Sequence, residues 1–218
     1  IENALEQATV ETFQRADSYV YATTDQGANL ISPEMEAYNK VGIKGIITTD
    51  TELPFDVKAA LKIENTAQIH PTKFTYHFAK LAKKAGAKLF VNTRVTKLIV
   101  DENRLITERN EEIKFKSIVL ATHYPIEAVK GLHLAKLSVD RSYLMATKTP
   151  ELLKGQYISC DQSSRTIRTA LVNQQPYFIF GGSSHIAGAV QNTQTYYETL
   201  EKELVSAFDL SKPEFLCS

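Results

Sequence analysis

The sequence predicts an α/β (α+β) fold, and three observations carry that expectation. Phe74, Phe78, Leu81 and Ala85 recur at steps of four, three and four, with Lys73, Lys80, Lys83 and Lys84 on the other side. This is an amphipathic helix that Gly86 stops, and the run KLFVNT at 88–93 follows at once as a strand. VTKLIVDE, RLITER and EIKFKS, broken at Glu102-Asn103 and Arg109-Asn110, then read as a three-stranded meander. Residues 137–181 form a third block, LSVDRSYLMAT, QYISCD, SRTIRTALV and PYFIFGG, with turn chemistry at Thr149-Pro150, Lys154-Gly155 and Gln175-Pro176. That block predicts a mixed or antiparallel sheet.

Taken in order, Leu5, Ala8, Thr12 and Phe13 fall near helical spacing, and Ser32-Pro33 has the form of an N-cap with proline at the first helical position. The first 40 residues therefore read as mostly helical. After Gly42 the texture becomes β-branched, predicting strands at 43–49 and 59–64 around the turn-like TELPFD. His70-Pro71 opens the amphipathic helix. After the meander, SIVLAT at 117–122 reads as a buried strand that ends in two small residues and a polar turn. A last helix from about Asn192 carries Tyr196, Leu200, Leu204 and Phe208 on one face, with Pro213 closing it.

Composition excludes several classes. Lys+Arg and Asp+Glu are both 25 in 218 residues, so no net field attracts phosphate backbones or anionic lipid, and nucleic acid is not an expected partner. No apolar run approaches the roughly 20 residues of a membrane helix. Cys160 and Cys217 match no metal or redox spacing, and the histidines at 70, 77, 123, 133 and 185 share no i,i+4 pair with a carboxylate base. We expect no metal site, free thiols and a cytoplasmic setting.

Strand ends of open α/β sheets face a ligand crevice, which gives SIVLAT a role. Ala121 lets backbone approach a flat ligand and Thr122 offers a hydroxyl; the other reading is an ordinary buried strand leading into a loop. Arg165 and Arg168 flank Thr166-Ile167, so strand alternation puts them on opposite faces, where one clamps a carboxylate or both make surface ion pairs. His185 reads either as a residue of a substrate cavity or as a hydrogen-bonded structural histidine. Tyr143 and Tyr157 either supply hydroxyls to a pocket or pack in the core. In GGSSHIAG no Gly-Lys-Ser/Thr follows Gly181-Gly182, so a tight strand exit is the simpler reading than a phosphate loop, and Ser184-His185 lacks the elbow of a serine hydrolase.

The order His-Pro, amphipathic helix, Thr93-Arg94-Val95, meander and a strand ending Ala121-Thr122 resembles the glycine oxidase and D-amino acid oxidase superfamily of FAD-dependent oxidoreductases. YISCDQSSRTIR, YFIFGGSSHIAG and the Tyr-Leu-rich helix look like the branch often joined to a C-terminal Rieske [2Fe-2S] domain. The resemblance implies a domain order of 1–69 for N-terminal helices and the first substrate-sheet strands, 70–130 for part of a Rossmann-like FAD-binding layer, and 131–218 for the substrate-domain sheet and long helix. It implies that the Val95 backbone faces the adenine of FAD, that Ala121 and Thr122 flank adenosine and pyrophosphate, and that Arg168 lies on the active-site side with His185. It implies a small amine or amino-acid substrate, hydride transfer to flavin and hydrolysis of the imine, with no catalytic acid or base that the sequence singles out. The family's G-x-G-x-x-G turn is not in the sequence, so the chain reads as a middle portion. A non-catalytic ligand- or partner-binding module is the other reading. Electron acceptor and oligomeric state stay open.

Overall fold

The computed structural model describes residues 13–123 and 137–210. Ten strands and three longer helices alternate along them: β1 (Phe13–Ala22), α1 (Asp25–Lys40), β2 (Ile46–Thr48), β3 (Ala59–Ile69), α2 (Pro71–Lys84), β4 (Val95–Ile99), β5 (Arg104–Thr107), β6 (Glu112–Lys114), β7 (Asp140–Lys148), β8 (Gly155–Ser159), β9 (Arg165–Val172), β10 (Gln175–Ile186) and α3 (Gln194–Phe208). The fold is mixed α/β. Two compact units divide it, residues 13–76 with 140–210 and the stretch around the meander from 77 onward, with the division inside α2.

In the larger unit seven strands run in the order β2-β3-β1-β8-β9-β10-β7. Only β1 and β8 pair parallel; the other neighbours are antiparallel. Paired residues share a face, so the register sorts the side chains. Tyr19, Tyr157, Ile167, Phe180 and Met145 form one row across five strands, all buried, and α3 covers it with Leu200 and Leu204. Val20, Ile158, Thr166, Gly181 and Leu144 form the row on the opposite face. Leu61 continues that second row on β3. There α1 lies against β1 and β3, its Met35 close to Leu61 beside Gly45. Ile158 and Leu144 are left exposed. The sheet thus has one helix-covered face and one half-open face.

The expectation of helix through the first 40 residues is corrected: residues 13–22 are a strand at the heart of this sheet. The alternation and aromatic, β-branched content of Ser18-Tyr-Val-Tyr suit a pleated surface, and pairing on both sides outweighs the helical spacing, most of which lies outside the described residues. α1 starts eight residues earlier than Pro33, because Thr24 is the N-cap and its side-chain oxygen accepts from the Gly27 amide at 3.0 Å. Pro33 sits inside the helix, where it forgoes one backbone bond. Pro213 also lies outside the described residues; α3 ends at Phe208, with Asp209 in the left-handed conformation.

The reading of helix and meander holds. His70 Nδ1 accepts from the Lys73 amide at the start of α2, Gly86 takes φ +97°, and β4-β5-β6 form an antiparallel sheet turned at Asn103 and Asn110. The strands expected at 88–93 and 117–122 are not formed. A strand exists only through its ladder, and no described residue pairs with either segment. Phe90, Val91 and Val119 are 71%, 80% and 89% exposed.

Candidate functional site

Arg168 occupies the middle of β9 opposite Ile179, on the face away from α3. Strand alternation sends its neighbour Arg165 the other way, where the guanidinium meets the Glu203 carboxylate of α3 through both Nε and Nη2. The two arginines therefore have different fates. Arg168 makes no hydrogen bond or ion pair among the described residues, and burial lowers its pKa from the usual arginine value. A guanidinium stays charged in protein surroundings, and a half-buried charge without a counter-ion is costly. The position is chemically set to receive an anion.

Space for one is present. Arg168 borders a cavity of about 480 Å³ with Tyr38, Leu144, Ile158, Thr166 and Ile179 on its walls. It also borders a second of about 200 Å³ toward Gln14, Gln68 and His70. Apolar walls around one charged group match the composition of small-molecule sites. Gln68, which sequence reasoning did not select, donates from Nε2 to Gln14 Oε1 and to the Thr169 carbonyl, both at 3.0 Å, and so ties β3 to the backbone beside Arg168. Its only signal was a long amide in a strand just before His70-Pro71.

Of the other substrate-side residues, Tyr157 borders the 480 Å³ cavity together with Arg168, and Tyr143 and His185 do not. Tyr157 lies on the α3 side, stacked on Tyr19 at 4.6 Å, and its hydroxyl donates to Glu52 Oε2 at 3.0 Å. Burial, followed by the adjoining Glu52, pushes its pKa up, with one Glu52 backbone contact opposing. Tyr143 is also on that side, 3% exposed, between Tyr196 at 5.2 Å and Tyr197 at 4.8 Å. Its hydroxyl pairs with His185 Nε2 at 2.7 Å, while His185 Nδ1 pairs with the Ile186 carbonyl at 2.8 Å. A carbonyl only accepts, so Nδ1 carries the proton and Nε2 accepts from Tyr143. His185, Tyr143 and Tyr196 thus form one stack, and none of the three hydroxyl or ring partners is shared with Arg168.

Gly181 and Gly182 are not a strand exit, because β10 continues to Ile186 with a register shift between Gly182 and His185. A Cβ at Gly181 would lie 2.3 Å from Leu144 Cδ2, so the glycine keeps the open face flat beside Thr166. In the smaller unit Val95 begins β4, half-buried and opposite Thr107, and Ala121 and Thr122 are exposed.

A further polar centre lies where β1 and β8 end. Asp161 Oδ2 accepts from the Thr23 amide at 2.8 Å, the Thr23 hydroxyl at 2.9 Å and the Ser159 hydroxyl at 3.2 Å, and Oδ1 accepts from the amide and hydroxyl of Thr24. This carboxylate closes the turn into α1. Sequence reasoning placed the cap at Ser32-Pro33 and missed this start, for which Thr24 ahead of Asp25 was the available signal. Among the described residues no group of three or more His, Cys, Asp or Glu could hold a metal ion, and no helix is long and apolar enough to cross a membrane.

A sequence profile described as FAD dependent oxidoreductase (DAO) matches residues 3–215. A protein named for a Rieske 2Fe-2S iron-sulfur centre, YhfW of Bacillus subtilis (strain 168), is 31% identical over 188 residues, covering 85% of this chain and 37% of that protein. Glycine oxidase from Geobacillus kaustophilus superposes with a TM-score of 0.76 at 16% identity, over 99% of this chain and 61% of that one. L-proline dehydrogenase from P. horikoshii gives 0.76 at 18% identity, over 99% and 62%. These two structures share the fold. The chain spans well under half the length of the curated relative and about three fifths of each structural relative.

Proposed function

Because this chain belongs to the DAO family of FAD-dependent oxidoreductases, we propose that it is the substrate-side portion of a flavoenzyme that oxidises a C–N bond in a small amine or amino acid. The observation that carries this reading is Arg168: a half-buried guanidinium with no counter-ion among the described residues, on the open face of the sheet, beside an apolar cavity. In the proposal its forked donors hold the substrate carboxylate bidentately. Leu144, Ile158 and Ile179 keep water from the substrate's other end and strengthen that ionic contact by lowering the local dielectric. A bound flavin would supply the hydride acceptor.

In this reading the adenosine end of the cofactor meets residues whose chemistry suits it. Val95, Ala121 and Thr122 are the positions proposed to lie along adenine and ribose; Ala121 carries only a methyl group, and it and Thr122 are exposed. Nothing in the sequence has the glycine-rich turn that cradles a pyrophosphate at a helix N-terminus. Grip on the phosphates therefore belongs, in this reading, to parts of the full-length protein beyond the 218 residues, as does any Rieske [2Fe-2S] domain like that for which the Bacillus relative is named. The free thiol of Cys160 suits a reducing, cytoplasmic setting.

His185 and Tyr143 enter as a positioning pair: Tyr143 fixes the histidine ring at the end of β10. Tyr157 does the same for Glu52, whose carboxylate holds the Lys154 and Gly155 amides at the start of β8. The test is made on the full-length protein. It should purify with a flavin absorbance band, and Arg168→Gln should raise KM for a carboxylate-bearing substrate by about tenfold to a hundredfold, the worth of a charge-assisted hydrogen bond pair, with that band unchanged. A colourless full-length protein sinks the flavoenzyme reading; an unchanged KM sinks the role of Arg168.

A further inference from the structure

Another cavity of the larger unit, about 670 Å³ in volume, is on the opposite, α3-covered face. Tyr21, Phe55, Ile167 and Phe180 make its apolar wall, and Ser163 and Lys202 stand at its edge. Tyr21 is 3% exposed and packs against Phe55 and Tyr157 with ring centroids at 6.0 and 6.4 Å. Its hydroxyl nonetheless makes no hydrogen bond among the described residues. The one described side-chain oxygen or nitrogen both sealed from solvent and unpartnered is Gln68 Oε1. The Tyr21 hydroxyl is therefore reachable, and the space it opens onto is this cavity.

Donors and acceptors there are unequally used. Both oxygens of Asp161 are filled by Thr23, Thr24 and Ser159, and both oxygens of Glu203 are filled by Arg165. On the donor side, the Tyr21 hydroxyl, the Ser163 hydroxyl and the Lys202 ammonium have no partner among the described residues. Both carboxylates are thus spent while the Lys202 cation is vacant, and the Gln162 amide and Ser206 hydroxyl on the same wall can donate as well as accept, so the cavity complements a molecule with an apolar body and an anionic head. We propose that this cavity is a second ligand site, separate from the Arg168 face, that takes an aromatic carboxylate: its ring lies along Phe55 and Tyr21, and its carboxylate meets Lys202.

The site is tested on the full-length protein with 2-naphthylacetate as the probe, followed by isothermal titration. The expected result is saturable one-site binding that Lys202→Gln weakens roughly tenfold, the loss of one charge-assisted hydrogen bond, and that Tyr21→Phe weakens several-fold. Lys202 is exposed on α3 and Gln keeps helix propensity, so this variant does not hinge on refolding the core. The neutral isostere 2-naphthaleneethanol should bind wild type and Lys202→Gln alike. KM for the Arg168-bound substrate and the flavin absorbance should be the same in wild type and Lys202→Gln, which keeps this result apart from the fate of the flavoenzyme reading. Absence of saturable binding, affinity that neither variant changes, or binding lost in Arg168→Gln while intact in Lys202→Gln would each overturn the proposal.

Discussion

Asp161 shows how one carboxylate organises a junction between distant segments. Burial alone would raise its pKa, but hydrogen bonds from Thr24, Thr23 and Ser159 outweigh that and hold it below 3.8. A depressed folded-state value means the stabilisation is present above the unfolded carboxylate pKa near 4 and is lost as pH falls through the lower folded value. Acid titration of stability should therefore show a loss beginning below about pH 4, and Asp161→Asn should remove that component while lowering stability at neutral pH. Gly27 belongs to the same junction: a Cβ there would stand 2.2 Å from Asp161 Oδ1 and 3.0 Å from Ala22 Cβ. Gly27→Ala, which would strengthen an ordinary helix, should here cost about 1–3 kcal/mol in denaturant unfolding, because overpacking and the displacement of a half-buried, hydrogen-bonded carboxylate outweigh helix propensity. At this scale the opposite faces of Arg165 and Arg168 were legible from a spacing of three along a strand. The Asp161 junction was not, because its partners lie 137 and 138 positions away in sequence, and nothing in a single chain marks such a pair.

Elements held by their own residues were readable, and elements held by neighbours were not. α2, the meander and β7 to β10 carry their period, their turns and their stops within a few residues of themselves. β1 does not: its ten residues include Arg15 and Asp17, and it becomes a strand through β3 on one side and β8 on the other. α3 illustrates the readable kind. Tyr196, Leu200, Leu204 and Phe208 were expected on one face, and in the structure Leu200 and Leu204 are fully buried while Tyr196 and Phe208 pack against the same core. Leu204→Ala should destabilise the protein by about 2–5 kcal/mol, the range for deleting a fully buried leucine side chain. An equilibrium urea titration checks it; a change below about 1 kcal/mol would mean that α3 is not fixed on the sheet as described.

At the scale of the molecule, one sheet separates two chemical environments. Its α3 face is an aromatic core, and its other face presents an unsatisfied arginine to an apolar cavity. The smaller unit has the converse incompleteness: 88–93 and 117–122 have the composition of buried strands and yet expose Phe90, Val91 and Val119, with no ladder partner among the described residues. Apolar β-branched segments with unpaired backbone are edges that sheets ordinarily cover. In the flavoenzyme reading, the strands that pair with them come from the rest of the cofactor layer, which also brings the pyrophosphate turn. Hydrogen exchange distinguishes that account from a module that is complete in itself. In the 218-residue chain alone, amides of 88–93 and 117–122 should exchange nearly as fast as unstructured backbone, while those of β9 and β10 are protected. In the full-length flavin-bearing protein the same two segments should slow by at least about a hundredfold, the least expected when open backbone joins a cooperative ladder. Equal, rapid exchange of both segments in the full-length protein would show that they are loops by nature, and the proposed placement of Ala121 and Thr122 beside the cofactor would lose its support.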